Sequence, residues 1–132
     1  MIVLDANVLI ALFDPNDEYH QAAEAMLVSY VDQPLAVSVL TAAEFLVHPT
    51  AHGVEPVASQ RLGDLGVTIQ PLRPSDAAPL AAMRVRSGLK MPDAVVAYLA
   101  QTTGGSILTF DQGLARQARR LGLAVIDWTP ST

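Results

Sequence analysis

The chain has no cysteine, which removes disulfides, thiolate nucleophiles and cysteine-based zinc sites from consideration. Its first 60 residues hold eight Asp and Glu but no Lys or Arg. All eight Lys and Arg fall in residues 61–132, beside five acids. The net charge of −5 argues against a broad electrostatic grip on nucleic acid. That uneven split suits a cation site in the front half with phosphate-binding flanks, and equally suits two ordinary solvated faces. No stretch reaches the roughly 18 uninterrupted apolar residues of a membrane span. The start lacks the basic n-region of a secretory signal, and Asp5 breaks its apolar run. A cytoplasmic protein is therefore expected. Internal repeats, low-complexity tracts and linkers are absent as well.

What is present is a 132-residue chain that is 51% hydrophobic, enough for one domain around one sizeable core. Ile2-Val3-Leu4 reads as a short strand buried on both faces, as in a parallel sheet. Asp5 follows directly, and Ala6 to Phe13 has helical character. A carboxylate at the carboxyl end of a parallel strand lies where open α/β sheets bind ligands. The plainer reading is an N-cap, a role Asp fills well.

Asp14-Pro15-Asn16-Asp17 is a turn, with Asp17 expected to cap a helix from Glu18 to about Val31. Leu35-Ala36-Val37-Ser38 is the second strand. A helix from Val39 to about His48 is expected to stop near Pro49, which has no backbone donor. Glu44 is the one charged residue between Asp32 and Glu55. An acid on so apolar a helix must face water or find a positive partner. His48 and His52 fall in the polar connection after this helix, outside any helical i, i+4 ligand pair, and read as surface residues rather than metal ligands.

A helix over about 57–65 leads to the third strand, Val67 to Leu72. Another helix begins at Ser75 or Asp76 and ends before Gly88, with Arg84 and Arg86 in its last turn. Pro92 and Asp93 open a strongly apolar helix, where Asp93 also has the plain reading of a dipole-matched acid. Ser106 to Thr109 is the fourth strand, followed by Asp111 and an amphipathic helix from Leu114 to Leu121. Leu123 to Ile126 is the fifth strand, and Asp127 to Pro130 is tail. Strands alternating with helices imply parallel pairing in a three-layer α/β/α sandwich. Asp5 and Asp111 then sit at one edge of the sheet.

At this point the residues resemble a known family. Ile2-Val3-Leu4-Asp5-Ala6-Asn7-Val8-Leu9 is similar to the first acidic motif of PIN-domain ribonucleases, of the kind that serve as VapC-type toxins in VapBC toxin–antitoxin pairs. Ser38 through Glu44 resembles the second motif, Leu89 through Ala97 the third, and Thr109-Phe110-Asp111 the fourth. The match spans the chain, in order. Two positions depart from it. Gln112-Gly113-Leu114 lacks the extra acid that some relatives carry, and Leu114 stands where an aromatic is common.

The resemblance implies a single PIN domain over residues 1–132, with a five-stranded, mainly parallel sheet in the order 3-2-1-4-5. It implies Asp5, Glu44, Asp93 and Asp111 as catalytic metal ligands. Asn7, Ser38 and Thr109 would orient carboxylates or water from behind, and Lys90 and Arg86 are phosphate-contact candidates. Two carboxylates about 4 Å apart repel by about 4 kcal/mol at an effective dielectric of 20. Converging acids therefore call for protons or cations. Oxygen donors without Cys favour Mg²⁺ or Mn²⁺ over zinc, and such ions can drive phosphodiester hydrolysis without a protein nucleophile. The implied partners are RNA, a cognate antitoxin laid over the acidic groove, and a second copy in a homodimer. The apolar helix bearing Leu9, Leu12 and Phe13 is a candidate groove wall.

Other classes fit less well. A phosphohydrolase of the haloacid dehalogenase kind wants Asp-x-Asp, and position 7 is Asn. A receiver-like signalling domain wants adjacent acids near its start and a late lysine. A non-catalytic PIN-fold binding module needs none of the acids, yet all four are present.

Overall fold

A computed structural model describes residues 1–128; Thr129 and Pro130, read above as tail, lie outside the described residues. The central strand β1 (Ile2–Leu4) is flanked by β2 (Leu35–Ser38) and β4 (Ser106–Leu108), with β3 (Val67–Gln70) beyond β2. All pairings are parallel, and Val3 lies beside Ala36 on one side and Ile107 on the other. β1 and β2 are buried throughout, whereas β3 exposes Thr68 and Ile69 at the sheet edge.

Strand side chains alternate between faces, and this divides the core. Ile2, Leu4, Val37 and Leu108 pack with Val8 and Leu9 of α1 (Ala6–Phe13), Ala23 of α2 (His20–Ser29), Phe45 of α3 (Val39–Ala51) and Leu62 of α4 (Glu55–Asp64). Val3 and Ile107 point the other way. They meet Met83 of α5 (Ala77–Ser87), Val96 and Leu99 of α6 (Met91–Thr103), and Leu114 of α7 (Gln112–Arg120). The three-layer expectation holds. Among the described residues no helix is long and apolar enough to cross a membrane.

Four strands form the sheet, in the order 3-2-1-4, not five. The segment expected as a fifth strand does lie beside β4, but it makes one isolated parallel bridge, Val125 to Ile107. The Ile107 N–H donates to Ala124 (2.9 Å), and the Ile126 N–H donates to the Ile107 carbonyl (2.8 Å). The next rung would bring a backbone N–H to the Thr109 carbonyl. That oxygen instead accepts the Trp128 indole N–H at 2.9 Å, so the ladder stops.

Two helix boundaries also differ from expectation. α2 begins at His20, because the Asp17 carboxylate accepts the Tyr19 N–H (2.8 Å) in a turn before the helix instead of capping it. α3 continues through Pro49 to Ala51. The His52 N–H donates to the His48 carbonyl (3.1 Å) and the Val54 N–H to the Pro49 carbonyl (2.9 Å), so the turn after Pro49 is closed and proline forfeits only its own donor.

With Leu4 completely buried in the central strand, Leu4→Ala should cost about 2–5 kcal/mol of unfolding free energy. Urea denaturation measures this, and an unchanged midpoint would contradict the central placement of β1.

Candidate active site at the carboxyl edge of the sheet

Asp5 stands between the ends of β1 and β4. Its N–H donates to Leu108 (3.0 Å), continuing the strand pairing by one residue. One carboxylate oxygen accepts the Ala6 N–H at 2.8 Å, so the N-cap reading is correct as far as it goes. The second oxygen accepts the Thr109 hydroxyl at 2.7 Å. A plain cap would leave that oxygen to water. Here it is buried and spoken for.

Thr109 is the hub of this edge. Besides donating to Asp5, its hydroxyl oxygen accepts from Asn7 Nδ2 (3.3 Å) and the Asp111 N–H (3.0 Å). Asn7 Oδ1 in turn accepts the Phe110 N–H at 3.3 Å. Asn7 and Thr109 thus link the residues around Asp5 and Asp111 by hydrogen bonds. Ser38 does not join them: its hydroxyl caps α3, accepting the Thr41 N–H (3.1 Å) and donating to the Thr41 hydroxyl (3.2 Å). Asp111 caps α7, accepting from Gly113 (2.8 Å) and Leu114 (3.2 Å). A side chain at position 113 would bring its Cβ to 3.1 Å from that oxygen, so glycine lets the carboxylate fold back. Leu114, in the place of an aromatic, is buried in the core behind the site.

The acids sense one another. Burial pushes the Asp5 carboxyl above its ordinary range, the Thr109 and Ala6 hydrogen bonds offset part of this, and Asp111 adds to it. Asp93, in the first turn of α6, is pushed up to about 6 by desolvation, then by the charges of Asp5 and Asp111; Lys90 opposes the rise. Glu44 exposes much of its side chain, yet it too is raised, by partial desolvation and then by Asp5 and Asp93. Asp5 therefore couples electrostatically to each of the other three. Among the described residues, no three His, Asp or Glu stand close enough to make a ready metal cage. An all-oxygen set spread in this way fits a hard ion such as Mg²⁺, which retains several waters and needs only one or two carboxylates. Lys90 is exposed beside Asp93, while the Arg86 guanidinium leans on the Met83 sulfur (3.7 Å).

Beside Glu44 runs a groove of about 570 Å³, walled by Ile10, Phe13, Phe45, Val54 and Val57. Of the α1 residues expected to wall it, only Phe13 does. Leu9 is fully buried, Leu12 packs on the core, and Ile10 is the second wall residue from α1. Sequence reasoning missed Trp128, which also packs edge-on to Tyr19 and Phe110 (5.3 and 4.8 Å between ring centroids). The sole tryptophan of the chain, just after an apolar run, was the available signal.

Residues 2–120 match the PIN domain family. The chain belongs to that family. No curated protein matches it by sequence. Among solved structures, this PIN domain is similar to a chain of the FitAB complex bound to an IR36 DNA fragment, at 23% identity and a TM-score of 0.76, covering 96% of this chain and 94% of that one. It is similar to a chain of a toxin–antitoxin complex from Klebsiella pneumoniae at 25% identity and a TM-score of 0.73, covering 85% and 88%. It is also similar to VapC20 of Mycobacterium tuberculosis, described as a Sarcin-Ricin loop cleaving toxin, at 16% identity and a TM-score of 0.73, covering 88% and 94%.

The raised carboxyls set the sign of the pH response. A folded-state pKa above the unfolded value means that the native state binds protons more tightly. For Asp93, with an ordinary value of 3.8 and a folded value of about 6, stability should fall as pH rises from about 4 through 6. The metal-free protein should accordingly melt at a higher temperature at pH 5 than at pH 7, and Asp93→Asn should flatten that difference. Calorimetry in EDTA at both pH values checks it.

Proposed function

We propose that this PIN domain is a metal-dependent endoribonuclease and the toxin of a type II toxin–antitoxin pair. The observation that carries the reading is the coupling of Asp5 to Glu44, Asp93 and Asp111 beside the carboxyl edge of the sheet, which Lys90 relieves in part at Asp93. The likeness to toxin–antitoxin proteins supports the biological setting.

In this reading Asp5, Glu44, Asp93 and Asp111 hold Mg²⁺ or Mn²⁺ directly or through water. A bound ion of this kind supplies Lewis acidity toward a phosphodiester oxygen and makes water a better nucleophile. The protein's own share is positional. Thr109 and the Ala6 N–H fix both oxygens of Asp5, Asn7 holds Thr109 and Phe110 in register, and the α7 N-terminus orients Asp111. Lys90 and Arg86 contact substrate phosphate. Ser38 serves through the start of α3, the helix that carries Glu44. A cognate antitoxin covers the groove beside Glu44 and neutralises the acids with a cation of its own, and the protein works as a homodimer.

Asp5→Asn removes charge with almost no change of shape, and Asn caps a helix nearly as well as Asp. It should abolish Mn²⁺-dependent RNA cleavage and lower the melting temperature without unfolding the chain, because one amide oxygen cannot accept from both Ala6 and Thr109. In the wild type, divalent metal at a hundred times its dissociation constant should add about 2.7 kcal/mol of stability. Cleavage assays and melting curves, each with EDTA and with Mn²⁺, test both points. A mutant as active as wild type would remove Asp5 from the reaction. Wild-type protein that binds RNA but never cleaves it would favour the non-catalytic binding module.

The partner assignment is tested by co-expression with the neighbouring reading frame. The small product should co-purify with this chain and suppress cleavage, and light scattering of the free toxin should give twice the chain mass.

A further inference from the structure

The continuation of α3 past Pro49 puts His48 and His52 one helical turn apart, at the i, i+4 spacing whose side chains share a face. Their rings lie 4.1 Å apart between centroids, inclined by 38°. His52 Nδ1 sits 3.0 Å from the His48 carbonyl oxygen. A carbonyl only accepts, so Nδ1 is the donor in this bond and Nε2 is the nitrogen left for a ligand. That is how a metal-ligating imidazole is oriented: one nitrogen donates to a backbone carbonyl and the other is freed for the ion. Both rings are exposed and line the groove beside α3, which Asp14 and Glu44 also line. The pair closes the carboxyl end of α3, where the helix dipole favours a cation. His20 provides the contrast within the same molecule: its Nδ1 is 2.8 Å from the Ala11 carbonyl and its Nε2 is engaged by Glu24, leaving no nitrogen for an ion.

We propose that His48 and His52 form a second metal site, for a late first-row divalent cation such as Zn²⁺, separate from the hard-ion chemistry of the four acids. Imidazole nitrogen is a preferred donor for these ions and a poor one for Mg²⁺. Two nitrogens about 2.0–2.1 Å from one ion supply half of a tetrahedral zinc shell. Water fills the remaining positions, since no third protein donor stands within reach among the described residues. Zinc held there would occupy the mouth of the apolar groove, between Glu44 and the α4 wall formed by Val57 and Ala58. The assignment does not depend on the nuclease reading, because neither histidine belongs to the acidic set.

The test is calorimetric titration of the protein with ZnCl₂ in saturating Mg²⁺, comparing wild type, His48→Gln, His52→Gln and Asp5→Asn. One zinc per chain is expected. Either glutamine variant should weaken it by at least the roughly tenfold that even an outer-shell partner is worth, with unchanged circular dichroism. Asp5→Asn should bind zinc as wild type does. In proton NMR, substoichiometric Ni²⁺ should broaden the ring signals of His48 and His52 before that of His20. Absence of zinc binding, wild-type affinity in either glutamine variant, or loss of binding in Asp5→Asn would overturn the proposal.

Discussion

The hydrogen bond from Thr109 to Asp5 joins the ends of β1 and β4 at the carboxyl edge of the sheet. It is short, buried and made to a charged acceptor, so breaking it would leave a carboxylate oxygen without a donor in a place that water reaches poorly. The rest of the site is built outward from it. β1 and β4 must lie side by side for the contact to exist, which fixes the parallel register at Leu4 and Leu108. Asp111 follows two residues later, and its N–H returns to the same hydroxyl. Thr109 therefore serves three polar groups at once, with no buried side-chain nitrogen or oxygen left unpartnered among the described residues.

Against that order stands the mutual repulsion of the acids. The hydrogen bonds on Asp5 favour its charged form, and burial together with Asp111 disfavours it. The edge therefore pays in stability for a concentration of negative charge, a conflict that folded proteins retain where it serves a function. The rigid sheet bears this strain. Ile2, Leu4, Val37, Ile107 and Leu108 are almost wholly enclosed, so the strand ends that carry Asp5 and lead to Asp111 have little room to drift apart.

The central strands were legible from sequence because a parallel strand covered on both faces must be a short unbroken apolar run. Asp5 and Asp111 could be placed because each follows such a run directly. Glu44 stood out by isolation, the one charge on an apolar helix, and only the resemblance of its motif, not any local pattern, grouped it with Asp5 and Asp93. The fifth strand looked like the others, since Leu123 to Ile126 is equally apolar. What stopped its ladder was a tertiary bond from an indole to a carbonyl, which no local pattern encodes. Pro49 misled in the opposite direction: proline removes only its own donor, and the residues after it, His52 and Val54, still donate back to close the following turn. The pairing of His48 with His52 was hidden by that single boundary.

The bond from Thr109 to Asp5 spans 104 positions of sequence, and the Trp128 indole that holds Thr109 comes later still. During synthesis the acids Asp5, Glu44 and Asp93 all leave the ribosome before the strand that organises them. β1 emerges well before its partner β4, with β2, β3 and six α-helices between them. Loop closure over such a distance must be met before the contact can form. A nascent chain halted anywhere short of β4 thus carries most of the carboxylates and none of the assembled edge. The order of residues along the polymer keeps the site unformed until β4 has followed.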